Sequence, residues 1–243
     1  MSAILTDLRR TILPDRGDKD GPLPQLLLAM TLVTGLVDAF SYLVLGHVFV
    51  ANMTGNVVFL GFALVGAPGF SIGASMVALA SFSFGAVAGG RVGATYVSDR
   101  GRLLNRAVSI QVVLLVVSVV LASLSGDPIP AGYRYALIVV LGAAMGVQNA
   151  AARKLAVADL TTTVLTLTIT GISADSVVAG GKGSRAGRRL VPVVAMFIGA
   201  LVGAALVLHV HIALALGAAL LVSAIIGVIS WRLGAGHTPW AGM

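Results

Sequence analysis

The 243-residue sequence contains no cysteine and no glutamate, and it has few charged residues of either sign. Without cysteine the chain has no disulfide, no thiolate metal ligand and no cysteine nucleophile. Nine acidic and sixteen basic residues make up 10% of the chain, whereas about 25% of a soluble domain is charged. Because 58% of the residues are hydrophobic, the folded chain cannot cover itself with polar groups, and its surface must face lipid.

The sequence also lacks the short motifs of common enzymes. It has no H-E-x-x-H, no G-x-S-x-G and no G-x-x-x-x-G-K-[ST], and "GGKGSR" at 180–185 lacks the upstream glycine of a phosphate loop. We therefore expect no enzymatic activity, no cofactor and no metal site.

Apolar residues fall into eight blocks, and a helix needs about 20 of them to cross a bilayer. The blocks are 24–45, 49–66, 71–97, 105–124, 132–152, 158–173, 189–208 and 211–232. The second and sixth are the shortest and are rich in threonine, asparagine and glycine. We interpret these two as short re-entrant or broken helices and the other six as full crossings.

The basic residues lie in clusters between the apolar blocks, and such clusters mark the cytoplasmic side of a membrane protein. The clusters are Arg9 to Lys19, Arg91 to Arg106, Lys182 to Arg189, and Arg232. Six crossings place all four clusters on one side, whereas eight would place Arg91 to Arg106 outside. The sequence thus predicts an all-α membrane bundle of six crossings with both termini cytoplasmic; eight crossings remain the alternative.

This interpretation divides the chain into three parts: a cytoplasmic segment 1–23, one transmembrane domain 24–234 and a tail 235–243. The clusters also account for the net charge of +7, so we expect the partners to be the lipid bilayer and a small polar solute or ion. We expect no nucleic acid. Association into a homo-oligomer stays open.

The two halves of the transmembrane domain resemble each other. "GLVDAF" at 35–40 matches "GVQNAA" at 146–151, "ANMTGN" at 51–56 matches "TVLTLT" at 163–168, and "FGAVAG" at 84–89 matches "IGALVG" at 198–203. With three crossings per half, repeats 24–124 and 132–232 would be inverted relative to each other, as in many transporters. The alternatives are a parallel repeat of four plus four crossings, or a likeness of composition only.

At these residues the chain resembles the YoaK-like family of bacterial inner-membrane proteins, a family of unknown function. The resemblance is carried by "GLVDAFSYLVLGHVFVANMTGNVVFLG", by "MGVQNAAARKLAVADLTTTVLT" and by the glycine-rich "FGAVAGG" and "FIGALVG", and it covers roughly 25–232. It implies six spans. It supplies no substrate and no site residue.

Asp38 is the leading candidate for a functional residue because it is the acidic residue well inside a predicted span, about 21 Å along the first helix. A charge there costs roughly 2.5–3.5 kcal/mol, so such carboxylates are commonly functional. Asp38 could take up a proton, bind sodium or hold a cationic substrate. The alternative is a structural hydrogen bond.

Two polar sets complete the predicted binding site. Asn52, Thr54, Gly55 and Asn56 stand at the start of block two, where a re-entrant backbone would expose N–H groups to an anion or a dipole. Their alternative role is to cap an ordinary helix. The counterpart set from the second half is Gln148, Asn149, Thr163 and Thr166. The hydroxyls of the two threonines could instead bond back to their own helix.

Glycines spaced four residues apart predict close helix packing, since lipid gives helices no hydrophobic drive to associate. They are Gly85 with Gly89, Gly142 with Gly146, and Gly199 with Gly203.

The predicted function is a secondary transporter or permease with a midplane site between blocks two and six. The alternative is a non-transporting assembly or signalling protein that meets its partner through the glycine-lined faces.

Overall fold

The six longest apolar blocks form six long helices in the computed structural model, which describes residues 11–12, 20–126, 128–158, 160, 165–181 and 184–234. Each long helix has 22 to 25 residues. At 1.5 Å per residue such helices are about 33–38 Å long, enough to cross a hydrocarbon core of about 30 Å. They are α1 (Leu23–Val44), α3 (Ile72–Thr95), α4 (Arg100–Leu124), α5 (Ala131–Leu155), α7 (Ala186–His209) and α8 (Ile212–Gly234).

Two shorter helices interrupt the series, α2 (Met53–Leu64) and α6 (Leu165–Ala174), and a 3-10 turn follows at Val177–Ala179. With 12 and 10 residues they extend about 18 Å and 15 Å, too little to cross. The described chain is therefore an all-helical bundle with six membrane-spanning helices and two short ones, as predicted. The predicted tail 235–243 and most of the predicted segment 1–23 lie outside the described residues.

Glycines bring the long helices together in two close pairs, α1 with α7 and α3 with α5. Gly199 lies against the carbonyl of Leu32, and Gly203 lies against that of Leu36, so the residue numbers of α1 and α7 rise together. The two helices are therefore parallel. The pair α3 and α5 is parallel too, since Ser81 lies beside Gly142 and the later residue Gly85 lies against Ala143.

Helix α4 runs antiparallel to both of its main neighbours, α5 and α8. At its start, Arg100 donates a hydrogen bond to the carbonyl of Leu155, the last residue of α5. One turn later, Asn105 bonds to Ser230 near the end of α8.

The same end of the bundle holds the start of α1, because Arg100 also forms an ion pair with Asp20, 3.0 Å long. The start of α7 lies there as well, where Arg188 donates to the carbonyl of Ala158. We call this the basic end, and the end formed by Val44, Ile72 and Ala131 the opposite end.

Candidate functional site

Residues 45–64 form a hairpin that enters the bundle and leaves it at the opposite end. The non-helical part, 45–52, runs inward to Asp38, which lies about 9 Å before the end of α1. Helix α2 then returns outward and packs on α3. At the mouth of the hairpin, the His47 Nδ1 atom lies 2.9 Å from the Gly69 carbonyl oxygen. We call residues 45–64 the re-entrant hairpin.

The Asp38 carboxylate holds the innermost part of the re-entrant hairpin. One oxygen, Oδ1, accepts hydrogen bonds from the backbone N–H of Val50 at 3.0 Å and of Ala51 at 2.9 Å. The other, Oδ2, accepts from the side-chain amide of Asn52. The aspartate is only 4% exposed. A buried N–H without a partner costs free energy, so this carboxylate supplies the partners that the non-helical backbone needs.

Asn56 fixes the same segment from the side of α2. Its Oδ1 accepts from the backbone N–H of Phe49 at 2.9 Å, and its Nδ2 donates to the carbonyl of the same residue. Asn56 is fully buried. Since both Phe49 backbone groups bind one side chain, residues 49–52 are held between Asn56 and Asp38.

The other two predicted residues of this set have different surroundings. A β-carbon on Gly55 would lie 2.6 Å from the Phe49 ring, so that ring would have to shift if any other residue stood here. Thr54 is exposed on the surface of α2, apart from the Asp38 hydrogen bonds. The structure thus brings together Asp38, Asn52 and Asn56, with Gly55 in a packing position.

An aromatic cluster, which the sequence did not predict, covers the re-entrant hairpin at the opposite end. Its neighbouring ring centroids are 5.1 to 6.3 Å apart. The concentration of aromatic residues between 42 and 70 was the signal that could have revealed it. Its members are Tyr42, His47, Phe49, Phe59, Phe62 and Phe70.

Gln148 belongs to a second buried polar group, which lies one helical turn closer to the basic end than Asp38. Its Nε2 donates to the Thr34 hydroxyl at 2.9 Å and to the Met30 carbonyl at 3.2 Å. Its Oε1 accepts from Gln111 at 2.6 Å. All three polar side chains are at most 1% exposed. Thr34 and Gln111 were missed by sequence reasoning, although Gln111 stands out in the apolar run "SIQVVLLVV".

The remaining counterpart residues are not part of this group. Asn149 donates from its Nδ2 to the carbonyl of Met145 on its own helix, 2.9 Å away. Thr166 is exposed on α6, and Thr163 lies outside the described residues.

The predicted packing glycines lie between helices of the same chain. Gly85 and Gly89 face α5, Gly142 and Gly146 face α3, and Gly199 and Gly203 face α1. They are therefore not available to a partner protein, and the hypothesis that a partner binds the glycine-lined faces is wrong. Within the described residues, no three histidine or acidic side chains come together to hold a metal ion.

Six apolar spans around a buried carboxylate and a re-entrant hairpin define a multi-pass membrane protein. Residues 26–229 match the family described as "Protein of unknown function (DUF1275)", and the chain belongs to this family. The chain is similar to the UPF0700 transmembrane protein YoaK of Bacillus subtilis, with 34% identity over 151 residues. That match spans 62% of this chain and 65% of the relative. No solved structure matches.

Proposed function

We propose that the chain is a secondary transporter or permease for a small polar solute or ion, rather than an enzyme. The observation that supports this most is the Asp38 carboxylate, which is buried inside a span and bound to the backbone of the re-entrant hairpin. Non-helical backbone is tolerated at membrane depth where it is buried in protein or lines a wet cavity. A charged residue at the same place is the usual mark of an ion or substrate path.

Under this proposal, the charge of Asp38 controls the position of the hairpin. The carboxylate accepts from two N–H groups and one amide, and charge-assisted hydrogen bonds of this kind are about twice as strong as neutral ones. A proton or a sodium ion on Asp38 weakens them and releases residues 50–52. The hairpin then moves away from α1 and opens a path from the opposite end.

We further infer that α1–α4 and α5–α8 form an inverted repeat, an arrangement typical of transporters. The match of 35–40 with 146–151 pairs Gly35 with Gly146. A β-carbon on either glycine would meet, on the neighbouring helix, a carbonyl oxygen and the amide nitrogen four residues later. These neighbours are Met196 and Ala200 for Gly35, and Phe82 and Ala86 for Gly146. The match of 84–89 with 198–203, extended by two residues, pairs Phe82 with Met196 and Ala86 with Ala200, so the neighbours also correspond between the two halves.

The direction of the helices favours an inverted relation over a parallel one. Helix α1 starts at the basic end, where Asp20 meets Arg100, and α5 ends there at Leu155. Corresponding helices therefore run in opposite directions. Because basic residues mark the cytoplasmic side, we infer that the basic end and both chain termini are cytoplasmic.

Uptake into proteoliposomes made with the full chain tests the proposal. A pooled panel of radiolabelled polar solutes is offered under an imposed proton or sodium gradient, with empty liposomes as reference. We expect at least one solute to accumulate and Asp38→Asn to abolish the gradient dependence. Asp175→Asn is the matched control, since its carboxylate is 53% exposed and outside the hairpin.

Two outcomes contradict the proposal. No accumulation above empty liposomes for any solute would remove the transport function. Gradient-driven uptake that is the same in Asp38→Asn and in the original chain would keep transport but remove the role of Asp38.

A non-transporting assembly or signalling protein is the second candidate. The same hydrogen bonds favour it, because a carboxylate that accepts from the N–H groups of Val50 and Ala51 can also serve only to hold the loop in one fixed conformation. Its partner, or a second copy of the chain, would bind exposed apolar residues such as Phe84, which is 74% exposed. Crosslinking that captures one stoichiometric protein, together with no uptake, would support this candidate.

A further inference from the structure

A groove of about 260 Å³ lies at the basic end, between the first turns of α4 and the last turn of α8. Asn105 lines it, and its Nδ2 donates to the Gly227 carbonyl and the Ser230 hydroxyl, both at 3.2 Å. None of the residues at Asp38 takes part in it. The lining residues are Tyr96, Gly101, Arg102, Asn105, Arg106, Ser230 and Trp231.

The groove is positively charged. Arg102 and Arg106 are four residues apart on α4, so their side chains lie on the same face of the helix. Arg102 forms an ion pair with Asp99 at 3.2 Å, but its side chain is still 68% exposed. Arg106 is exposed, and no acidic side chain in the described part of the chain pairs with it. Guanidinium groups donate in a fork that fits phosphate oxygens.

Two aromatic side chains with polar edges stand beside these arginines. Trp231, which is 66% exposed, carries an indole N–H, and Tyr96 carries a hydroxyl. Such residues are enriched at the level of lipid headgroups because one part of the ring is apolar and the other is wet. The groove therefore has the composition of a membrane interface.

The face of α4 that carries the two arginines continues as an apolar stripe away from the basic end. Spacings of three and four residues keep the stripe on this face of the helix. Its side chains are 36 to 62% exposed, and they are Ile110, Val113, Val117 and Val120. A soluble phosphate compound would use the basic groove but not the stripe, whereas a phospholipid matches both.

We propose that this groove binds the phosphate headgroup of an anionic phospholipid, with an acyl chain along the stripe of α4. Arg102 and Arg106 bind the phosphate oxygens, and Trp231 and Tyr96 donate to the headgroup at its edge. The bound lipid bridges α4 and α8 where Asn105 already joins them. Basic pockets on the cytoplasmic side of membrane proteins commonly hold such lipids.

Native mass spectrometry of the purified full chain measures the binding directly. We expect phosphatidylglycerol to bind more tightly than phosphatidylcholine. Arg102→Gln with Arg106→Gln should weaken phosphatidylglycerol binding about 30-fold, because each basic residue near an anionic lipid contributes roughly a factor of five. The control is Arg91→Gln with Arg153→Gln, two exposed arginines outside the groove, which should change binding less than about twofold.

Fluorescence gives a second measurement that does not depend on the arginine variants. The chain has two tryptophans, so Trp240→Phe leaves Trp231 as the sole reporter. In phosphatidylcholine liposomes, a small fraction of brominated phosphatidylglycerol should quench Trp231 more than the same fraction of brominated phosphatidylcholine. Excess glycerol phosphate in solution should not reverse this quenching.

Each contrary result overturns the proposal. Equal quenching by the two brominated lipids means that the groove does not select an anionic headgroup. Reversal by glycerol phosphate means that it binds soluble phosphate compounds instead of a lipid. Unchanged phosphatidylglycerol binding in the double arginine variant places the lipid elsewhere.

Discussion

Gly85 should be far more sensitive to substitution than Gly90, although both lie on α3. A β-carbon at Gly85 would lie 2.7 Å from the carbonyl carbon of Ala143 and 2.8 Å from its Cα. Carbon atoms prefer separations of about 3.5–4.0 Å, so α3 and α5 would have to move apart by about 1 Å. A β-carbon at Gly90 meets nothing within 4 Å.

The expected cost of Gly85→Ala is about 1–3 kcal/mol, the usual range for overpacking. We expect the upper part of this range because the obstructing atoms belong to the backbone of Ala143 and cannot rotate away. Gly90→Ala should be neutral or stabilising by up to about 1 kcal/mol, since alanine restricts the unfolded chain. Gly199→Ala should cost as much as Gly85→Ala, because Gly199 meets the backbone of Leu32 in the same way.

Equilibrium unfolding in mixed micelles with increasing SDS, followed by circular dichroism, measures these differences. Gly90→Ala serves as the matched control for the added methyl group on the same helix. If Gly85→Ala unfolds at the same SDS fraction as Gly90→Ala, the close contact between α3 and α5 does not limit stability, and the reasoning is refuted.

Two further predictions concern the buried polar group and the topology. Gln148→Leu should destabilise the chain by about 1–3 kcal/mol, because Gln111 is left buried without its acceptor. In the same unfolding assay, the double variant Gln148→Leu with Gln111→Leu should cost less stability than the sum of the two single variants. The chain has no native cysteine, so single cysteines can be introduced at chosen positions. Cysteines at Ser98 and Ser184 should react with an impermeant maleimide from one face of the membrane, and a cysteine at Pro68 should react from the other face. Labelling of positions 98 and 184 from opposite faces would contradict the inverted arrangement.

The long helices could be predicted because composition and length decide them. Twenty or more apolar residues between basic clusters leave few other structures in a bilayer, since every backbone group must be bonded internally. The helix ends also had local signals. Asp99 accepts from the N–H of Arg102 at 2.8 Å, and Ser71 accepts from that of Ala74 at 3.2 Å, so both serve as N-caps.

The partners of the polar side chains could not be predicted. Asp38 was identified from its position in an apolar run, but its hydrogen bonds to Val50 and Ala51 depend on how the chain turns back after α1. The link between Gln111 and Gln148 joins residues 37 positions apart on antiparallel helices. Such contacts depend on packing geometry, which a single sequence does not contain.

The proposed repeat makes the difference between Asp38 and its counterpart informative. Under the alignment, Asn149 corresponds to Asp38, so only one half of the molecule carries a carboxylate at this position. A second buried charge would add roughly 2.5–3.5 kcal/mol of cost. The first half offsets this cost with the N–H groups of Val50 and Ala51, whereas Asn149 donates to the carbonyl of Met145 on its own helix. If the chain is the transporter we propose, this difference predicts that one charge, that of Asp38, is moved or neutralised in each transport cycle.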